Sequence, residues 1–309
     1  MGWLLLTAFL LVVTLAVSYY LARKIIYPDV HPLEETYRKE VENGYLDEAD
    51  FNAWQREEVE IASIYGYTLK GFYFPHCGSQ KTVIISHGIT WSRFGSVKYA
   101  SVFRKHGFNV LIYDLRNHGE SGGKNTTFGY MEKYDLRAWV DWALDRLGAL
   151  GRVGTMGESL GAAVSLQHAA VDARVAFTIA DCAFSDLAEL LKYRLRCDYR
   201  LPAFPLLHLA NLWCGLLSWM TFDQVSPLRE MPHIKTPVMF IHGNDDDYIP
   251  PQMSRAMYDA KTSGLRWLYI VPGAKHAKAW AADPAAYEQE VGRFLLAVGL
   301  GQAAQVETA

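Results

Sequence analysis

The chain has 309 residues, half of them apolar or aromatic and a fifth charged, enough for one large α/β domain or two ordinary ones with a full core. A net charge of −3 without a basic stripe gives no reason to expect a nucleic-acid partner. The four cysteines, Cys77, Cys182, Cys197 and Cys214, show no C-x-x-C or metal spacing. They suit reduced surroundings better than a disulfide framework, although two bridges would match their number, and Cys182, in an apolar stretch, reads as a small core residue.

Residues Gly2–Ala22 carry no charged side chain. As a helix these 21 residues would be roughly 31 Å long, enough to cross a bilayer. Trp3, Tyr19 and Tyr20 stand near its ends, where aromatic rings favour the membrane interface. A cleaved signal peptide, with Ala16–Val17–Ser18 as its small-residue site, is the rival. The missing basic start and the length of the apolar run favour a retained anchor. Arg23 and Lys24 follow the span, a small charge bias that would hold the rest of the chain on the cytoplasmic side.

Residues 23–58 form a juxtamembrane segment. Its charged stretch Pro28–Gln55 reads as one or two solvated helices. Alternation over Val59–Ile64 and Leu69–Phe74, around the turn Tyr65–Gly66–Tyr67, predicts a hairpin. From Thr82–Ser86 onward, buried-strand runs alternate with helical patterns: Val110–Tyr113, Arg152–Met156, Val175–Ala180, Val238–His242 and Arg266–Val271 for the strands. Helical patterns lie over Phe94–His106, Leu136–Leu147, Leu160–Val171, Pro251–Ala260 and Pro284–Val298, and Gly299–Ala309 reads as a frayed tail. Such alternation calls for a largely parallel sheet covered on both faces, with the hairpin as an antiparallel edge. Residues 185–234 interrupt it. Within them Leu201–Phe222 is strongly apolar, but Pro202, Pro205, His208 and Asn211 speak against a second span and for a small helical cap over the site.

Chemistry concentrates on Gly157–Glu158–Ser159–Leu160–Gly161, a G-x-S-x-G pattern between a strand and a helix. There a serine on a strained turn is pushed out of the backbone, and glycines remove the Cβ atoms that would clash. A serine hydroxyl needs a base as it attacks, and the base needs a carboxylate to fix its tautomer. Of the ten histidines, His276 lies in a short Gly-containing loop five residues beyond a strand. The carboxylates Asp245, Asp246 and Asp247 follow another strand directly, giving the order serine, acid, histidine. Backbone N–H groups of Leu160 and of Ile89, with Thr90 in reserve, are placed to hold an oxyanion. His87 reads as structural.

These motifs, with Asp114–Leu115–Arg116–Asn117–His118–Gly119–Glu120–Ser121–Gly122 and His242–Gly243 through Pro250, resemble the α/β-hydrolase family over about Val59–Leu300. Within it the chain looks most like the serine-aminopeptidase-like (lysophospholipase and esterase) branch, and is similar to Firmicute hydrolases of that branch with an N-terminal membrane segment. The resemblance implies an α/β-hydrolase fold with a mostly parallel sheet of about eight strands, a helical cap and a transmembrane helix at residues 2–22. It selects Asp246 as the acid and makes Asp114 and His118 structural. The serine separates the chain from the aspartate-based dehalogenase and epoxide-hydrolase branches.

The expected activity is hydrolysis of a carboxylic ester, small or lipid-like, through an acyl-serine. Peptidase, thioesterase or lysophospholipase action on the same triad is the alternative, and a catalytically silent binding protein is the alternative of another class. Trp91, Phe94, Trp213, Trp219 and Trp280 are expected to line an apolar substrate pocket. Asn125–Thr126–Thr127 is a formal glycosylation sequon. No phosphate loop, dinucleotide fingerprint or metal cluster stands out, so neither cofactor nor metal is expected.

Overall fold

The computed structural model describes residues 1–301; the tail expected over Gly299–Ala309 falls outside it from residue 302 onward. Eight strands form one sheet: β1 (Glu57–Ala62), β2 (Thr68–Phe74), β3 (Lys81–Ser86), β4 (Asn109–Tyr113), β5 (Arg152–Glu158), β6 (Phe177–Asp181), β7 (Val238–Gly243) and β8 (Arg266–Val271). Their spatial order is β1-β2-β4-β3-β5-β6-β7-β8. The hairpin β1–β2 joins β4 antiparallel, and every pairing from β4 to β8 is parallel. Strands β3, β4, β6 and β7 are almost wholly buried, as their unbroken apolar runs require when helices cover both faces. The chain crosses from one side of β3 to the other between β4 and β5. That reversal opens a crevice at the carboxyl ends of the strands, where ligands of open α/β sheets bind.

The helices are α1 (Gly2–Ile26), α2 (Leu33–Glu42), α3 (Glu48–Ala53), α4 (Val97–Lys105), α5 (Glu132–Leu147), α6 (Leu160–Val171), α7 (Leu187–Arg194), α8 (Leu206–Ser218), α9 (Pro227–Glu230), α10 (Gln252–Ala260), α11 (Ala279–Ala282) and α12 (Pro284–Ala297). Local signals set several ends. Helix α5 stops at Gly148, whose φ is 74°. Helix α12 starts with Pro284 in its first turn and with Asp283 accepting the Ala286 N–H at 2.9 Å. One core layer holds α5, α6 and α10 with the insertion that carries α7–α9; the other holds α4 and α12.

Two segments ahead of the sheet differ from expectation. The solvated helices expected over Pro28–Gln55 are α2 and α3, but both pack into the second core layer. Leu33, Tyr37 and Val41 recur every four residues on one face of α2, and Phe51 of α3 is buried among Phe72, Phe74 and Phe94. The apolar span Gly2–Ala22 lies within α1, which runs on to Ile26. Its first twelve residues, Gly2–Val13, are exposed, whereas Ser18, Leu21, Ala22 and Ile26 are buried against the body, chiefly beside α8.

Candidate active site

Ser159 sits between β5 and α6 with φ 54° and ψ −112°, a conformation that costs an L-residue of order 1–3 kcal/mol and persists only where its surroundings enforce it. The flanking glycines are part of that enforcement. A Cβ on Gly157 would lie 2.1 Å from the Gly161 carbonyl, and one on Gly161 would lie 2.0 Å from the Ser86 oxygen of β3. The turn therefore packs backbone against backbone, and the Ser159 N–H is tied to the Asp181 carbonyl at 2.8 Å.

The loops after β7 and β8 bring Asp246 and His276 to this turn. His276 Nε2 lies 3.0 Å from Ser159 Oγ, and His276 Nδ1 lies 2.7 Å from Asp246 Oδ2. With Nδ1–H donating to the carboxylate, Nε2 is left to accept the serine proton. Asp246 is buried, while Asp245 and Asp247 are exposed. Burial works to raise the Asp246 carboxyl, but hydrogen bonds from His242 and His276 and the Ile249 N–H hold it well below the usual carboxylate range. His242 is the residue whose part was not anticipated. Its Nε2 lies 2.8 Å from the Ile249 carbonyl and 3.1 Å from Asp246 Oδ2, and Ser254 Oγ meets its Nδ1 at 2.7 Å. A histidine just before Gly243, at the end of the same strand, was its signal.

The Ile89 N–H has no acceptor among the described residues, and the Leu160 N–H belongs to the first turn of α6, where helices leave such groups without an internal partner. The reserve donor, Thr90, is already engaged: its N–H donates to His118 Nε2 at 3.2 Å. His118 Nδ1 in turn meets the Arg116 carbonyl at 2.8 Å. His87 is placed alike, between the Leu115 N–H and the Gly88 carbonyl, and burial pushes both imidazoles down to about 4. Asp114 accepts the N–H groups of Arg93 and Glu120 at 2.8 and 3.0 Å. All three hold loops in place.

Two cavities meet at Ser159. An apolar one of about 180 Å³ is lined by Ile89, Leu160, Phe128 and Phe184, by Leu190, Leu195 and Leu207 of the insertion, and by Leu21, Lys24 and Ile25 of α1. A polar one of about 350 Å³ holds His276, Trp91, Glu40, Lys98, Glu158 and Lys278. Of the expected pocket aromatics only Trp91 lines either, its Nε1 donating to Glu40 Oε1 at 2.7 Å. Phe94 is instead core, 5.0 Å from Tyr37 and 5.9 Å from Phe51. Trp213 turns toward α1, 5.4 Å from Tyr19, and Trp280 packs 5.8 Å from Tyr45. Trp219 is 80% exposed at the end of α8. Sequence reasoning missed the α1 residues because an apolar run signals a membrane helix without saying what its last turns touch.

Cys182 is buried as expected. Its Sγ lies within 4.8 Å of ligand atoms of Asp246 and His276, and burial pushes the thiol well above its ordinary value. Asn125 of the sequon is buried and accepts from Arg116 Nη2 at 2.9 Å, so its side chain serves the fold.

The model of the X-Pro dipeptidyl-peptidase (S15) family matches residues 25–204, which include Ser159 and end before the loops of Asp246 and His276. The chain belongs to that family. It is 36% identical to the Bacillus subtilis protein YqkD, over 93% of this chain and 94% of that one. Among solved structures it is similar to the Pyrococcus furiosus esterase Pf2001, with a TM-score of 0.67 and 26% identity over 82% of this chain and 94% of that one. It shares the fold of the α/β hydrolase GrgF from Penicillium, at 21% identity and a TM-score of 0.60, covering 78% and 98% of the two chains. This S15-family chain is thus a hydrolase of the α/β-hydrolase superfamily, with a sheet of eight mostly parallel strands.

Proposed function

We propose that this hydrolase cleaves carboxylic esters through an acyl-serine intermediate, within the lysophospholipase and esterase branch of the superfamily. The observation that carries the reading is the unbroken relay from Ser159 Oγ to His276 at 3.0 Å and from His276 to Asp246 at 2.7 Å. Ser159 attacks the ester carbonyl as His276 Nε2 takes its proton. Asp246 holds the imidazole in the competent tautomer and stabilises the imidazolium. The Ile89 and Leu160 N–H groups face the oxyanion. His276 then returns the proton to the departing alcohol, and a water activated by the same nitrogen releases the acid.

The two cavities divide the substrate. The apolar one takes the acyl chain, and the polar one takes the alcohol, where buried Glu40 Oε2 has no partner among the described residues and so suits a hydroxyl donor. Thioesters, lysophospholipids and peptides fit the same relay. Helix α1 serves as a retained anchor for a cytoplasm-facing enzyme. Burial of Ser18, Leu21, Ala22 and Ile26 supports retention, because cleavage near Ser18 would strip packing from Trp213.

The test uses the full chain in detergent, with a fluorophosphonate probe and p-nitrophenyl esters of graded length beside Xaa-Pro anilides. Labelling lost in both Ser159→Ala and His276→Ala, with esters turned over faster than anilides, is expected. Preference for the anilides would move the reading to peptidase. A folded protein that takes no label would leave a hydrolase-like binding protein.

A further inference from the structure

Helix α8 has an unusual surface. Its thirteen residues carry no Asp, Glu, Lys or Arg. One face packs on α1: the Trp213 ring meets Tyr19 edge-on at 5.4 Å, Trp213 Nε1 reaches Ser18 Oγ at 3.3 Å, and Cys214 lies against Ala22. The opposite stripe bears Leu212 and Leu216, four residues apart and 58% and 66% exposed, and runs on to Trp219 just past the helix end. A soluble cap would present polar side chains there. Its polar members do not contradict this: the Asn211 side chain is taken by the Phe222 N–H at 2.7 Å, and His208 packs against Phe204.

We propose that α8 is embedded in the lipid bilayer alongside α1, so that the apolar cavity bordered by Leu21 and Ile25 of α1 and Leu207 of α8 is filled from the membrane and the substrate is a membrane-resident amphiphile. The proposal rests on the ester-hydrolase reading and on α1 as a bilayer helix. The occupant of the exposed stripe is lipid because it continues the uncovered apolar surface of α1, whose first twelve residues are likewise exposed. At 1.5 Å per residue α8 is about 20 Å long, too short to cross a hydrocarbon core of about 30 Å but long enough to enter one leaflet. The level of the interface is marked by the cavity itself. Its half-exposed rim residues Lys24 and Tyr199 stand where the charge-free stretch of α1 ends and the charged turn before α8 lies. A cavity of about 180 Å³ is also small for a long acyl chain. A chain that leaves the cavity past Ile25 of α1 and Leu207 of α8 keeps its distal carbons in lipid while its carbonyl reaches Ser159.

The experiment uses the full chain in phosphatidylcholine–phosphatidylglycerol nanodiscs. With exposed Cys77 and Cys197 changed to Ser, Leu216→Cys is labelled with a nitrobenzoxadiazole dye, and Leu150→Cys, on the exposed loop before β5, serves as reference. The expected result is blue-shifted Leu216→Cys emission, quenched by doxyl lipids and protected from iodide, with the reverse for Leu150→Cys. Quenching by iodide alone overturns the proposal, as does shielding from both quenchers, which would mark a protein partner on α8. In a second arm, Leu212→Glu with Leu216→Glu is expected to lower hydrolysis of a long-chain ester held in vesicles by about tenfold or more, through lost membrane seating. Turnover of p-nitrophenyl acetate and fluorophosphonate labelling should stay within about twofold, since neither leucine lines the cavity. An equal fall on both substrates contradicts membrane feeding. Absence of all labelling in the unaltered chain would refute the ester-hydrolase reading instead, while the quencher result still decides the place of α8.

Discussion

Lys98 Nζ lies 2.6 Å from Glu158 Oε2, an almost buried ion pair in the wall of the polar cavity beside Ser159. Burial opposes both charges, yet Lys98 holds the Glu158 carboxyl below its usual range, and Glu158 with Glu40 raises Lys98. The Tyr99 hydroxyl donates a second contact to Glu158 at 2.5 Å. Removing one partner of such a pair strands the other charge and costs about 3–5 kcal/mol, whereas removing both is far cheaper. Lys98→Met should therefore lower the melting temperature markedly, and Lys98→Met with Glu158→Gln should recover most of it. A single variant as stable as the unaltered chain would mean that Glu158 is already neutral or hydrated.

Three neighbouring aspartates make a sharp comparison. Asp246→Asn leaves the geometry but favours the wrong imidazole tautomer, so kcat should fall by about 10⁴. Asp245→Asn and Asp247→Asn, both at exposed positions, should stay near the unaltered rate. Steady-state kinetics on one soluble ester decides it, and a large loss at either flanking position would reassign the acid.

The backbone at position 159 predicts opposite signs for two substitutions. Ser159→Gly should abolish turnover yet melt at an equal or higher temperature, because glycine adopts φ 54° freely and relieves about 1 kcal/mol of strain. Gly161→Ala places a Cβ 2.0 Å from the Ser86 oxygen and should destabilise strongly. Thermal melts of both in the same detergent provide the check.

Stability should also depend on pH through Asp181, beneath the site. Burial first, and then Glu158, raise its carboxyl from 3.8 to about 7, although Tyr287 donates to it at 3.0 Å. The folded value lies above the unfolded one, so the favourable contribution is complete below the unfolded value and is lost as pH climbs through about 7. Asp181→Asn removes this dependence. The melting temperature of the variant minus that of the unaltered chain should grow between about pH 5 and pH 8. A constant difference would show that Asp181 titrates normally.

Much of the site was legible because its signals are local. Ser159, Asp246 and His276 each follow a buried strand run within a few residues, and a parallel sheet puts such loops on one edge. The aromatic lining was less legible, and two of its failures share one cause. Phe94 faces away from the cavity because Tyr37 and Phe51, in a segment that reads as solvated, cover it. Trp213 faces away because the last turns of α1 cover it. In both places the partner precedes the first strand, and periodicity tells which residues share a face but not what that face meets.

The contact between Trp213 and Ser18 joins positions 195 residues apart. A chain made from its N-terminus has α1 long before the element it packs against, so the cavity wall that α1 contributes can close only once α8 has been synthesised, with β7, β8 and the loops of Asp246 and His276 still to come. Until then the apolar face of α1 has no partner in α8, although every residue of the Ser159 turn, from Ser86 of β3 through Asp181 of β6, has already been made. Closure of the cavity wall over α1 thus comes after the serine turn in chain order, though not after the loops of Asp246 and His276.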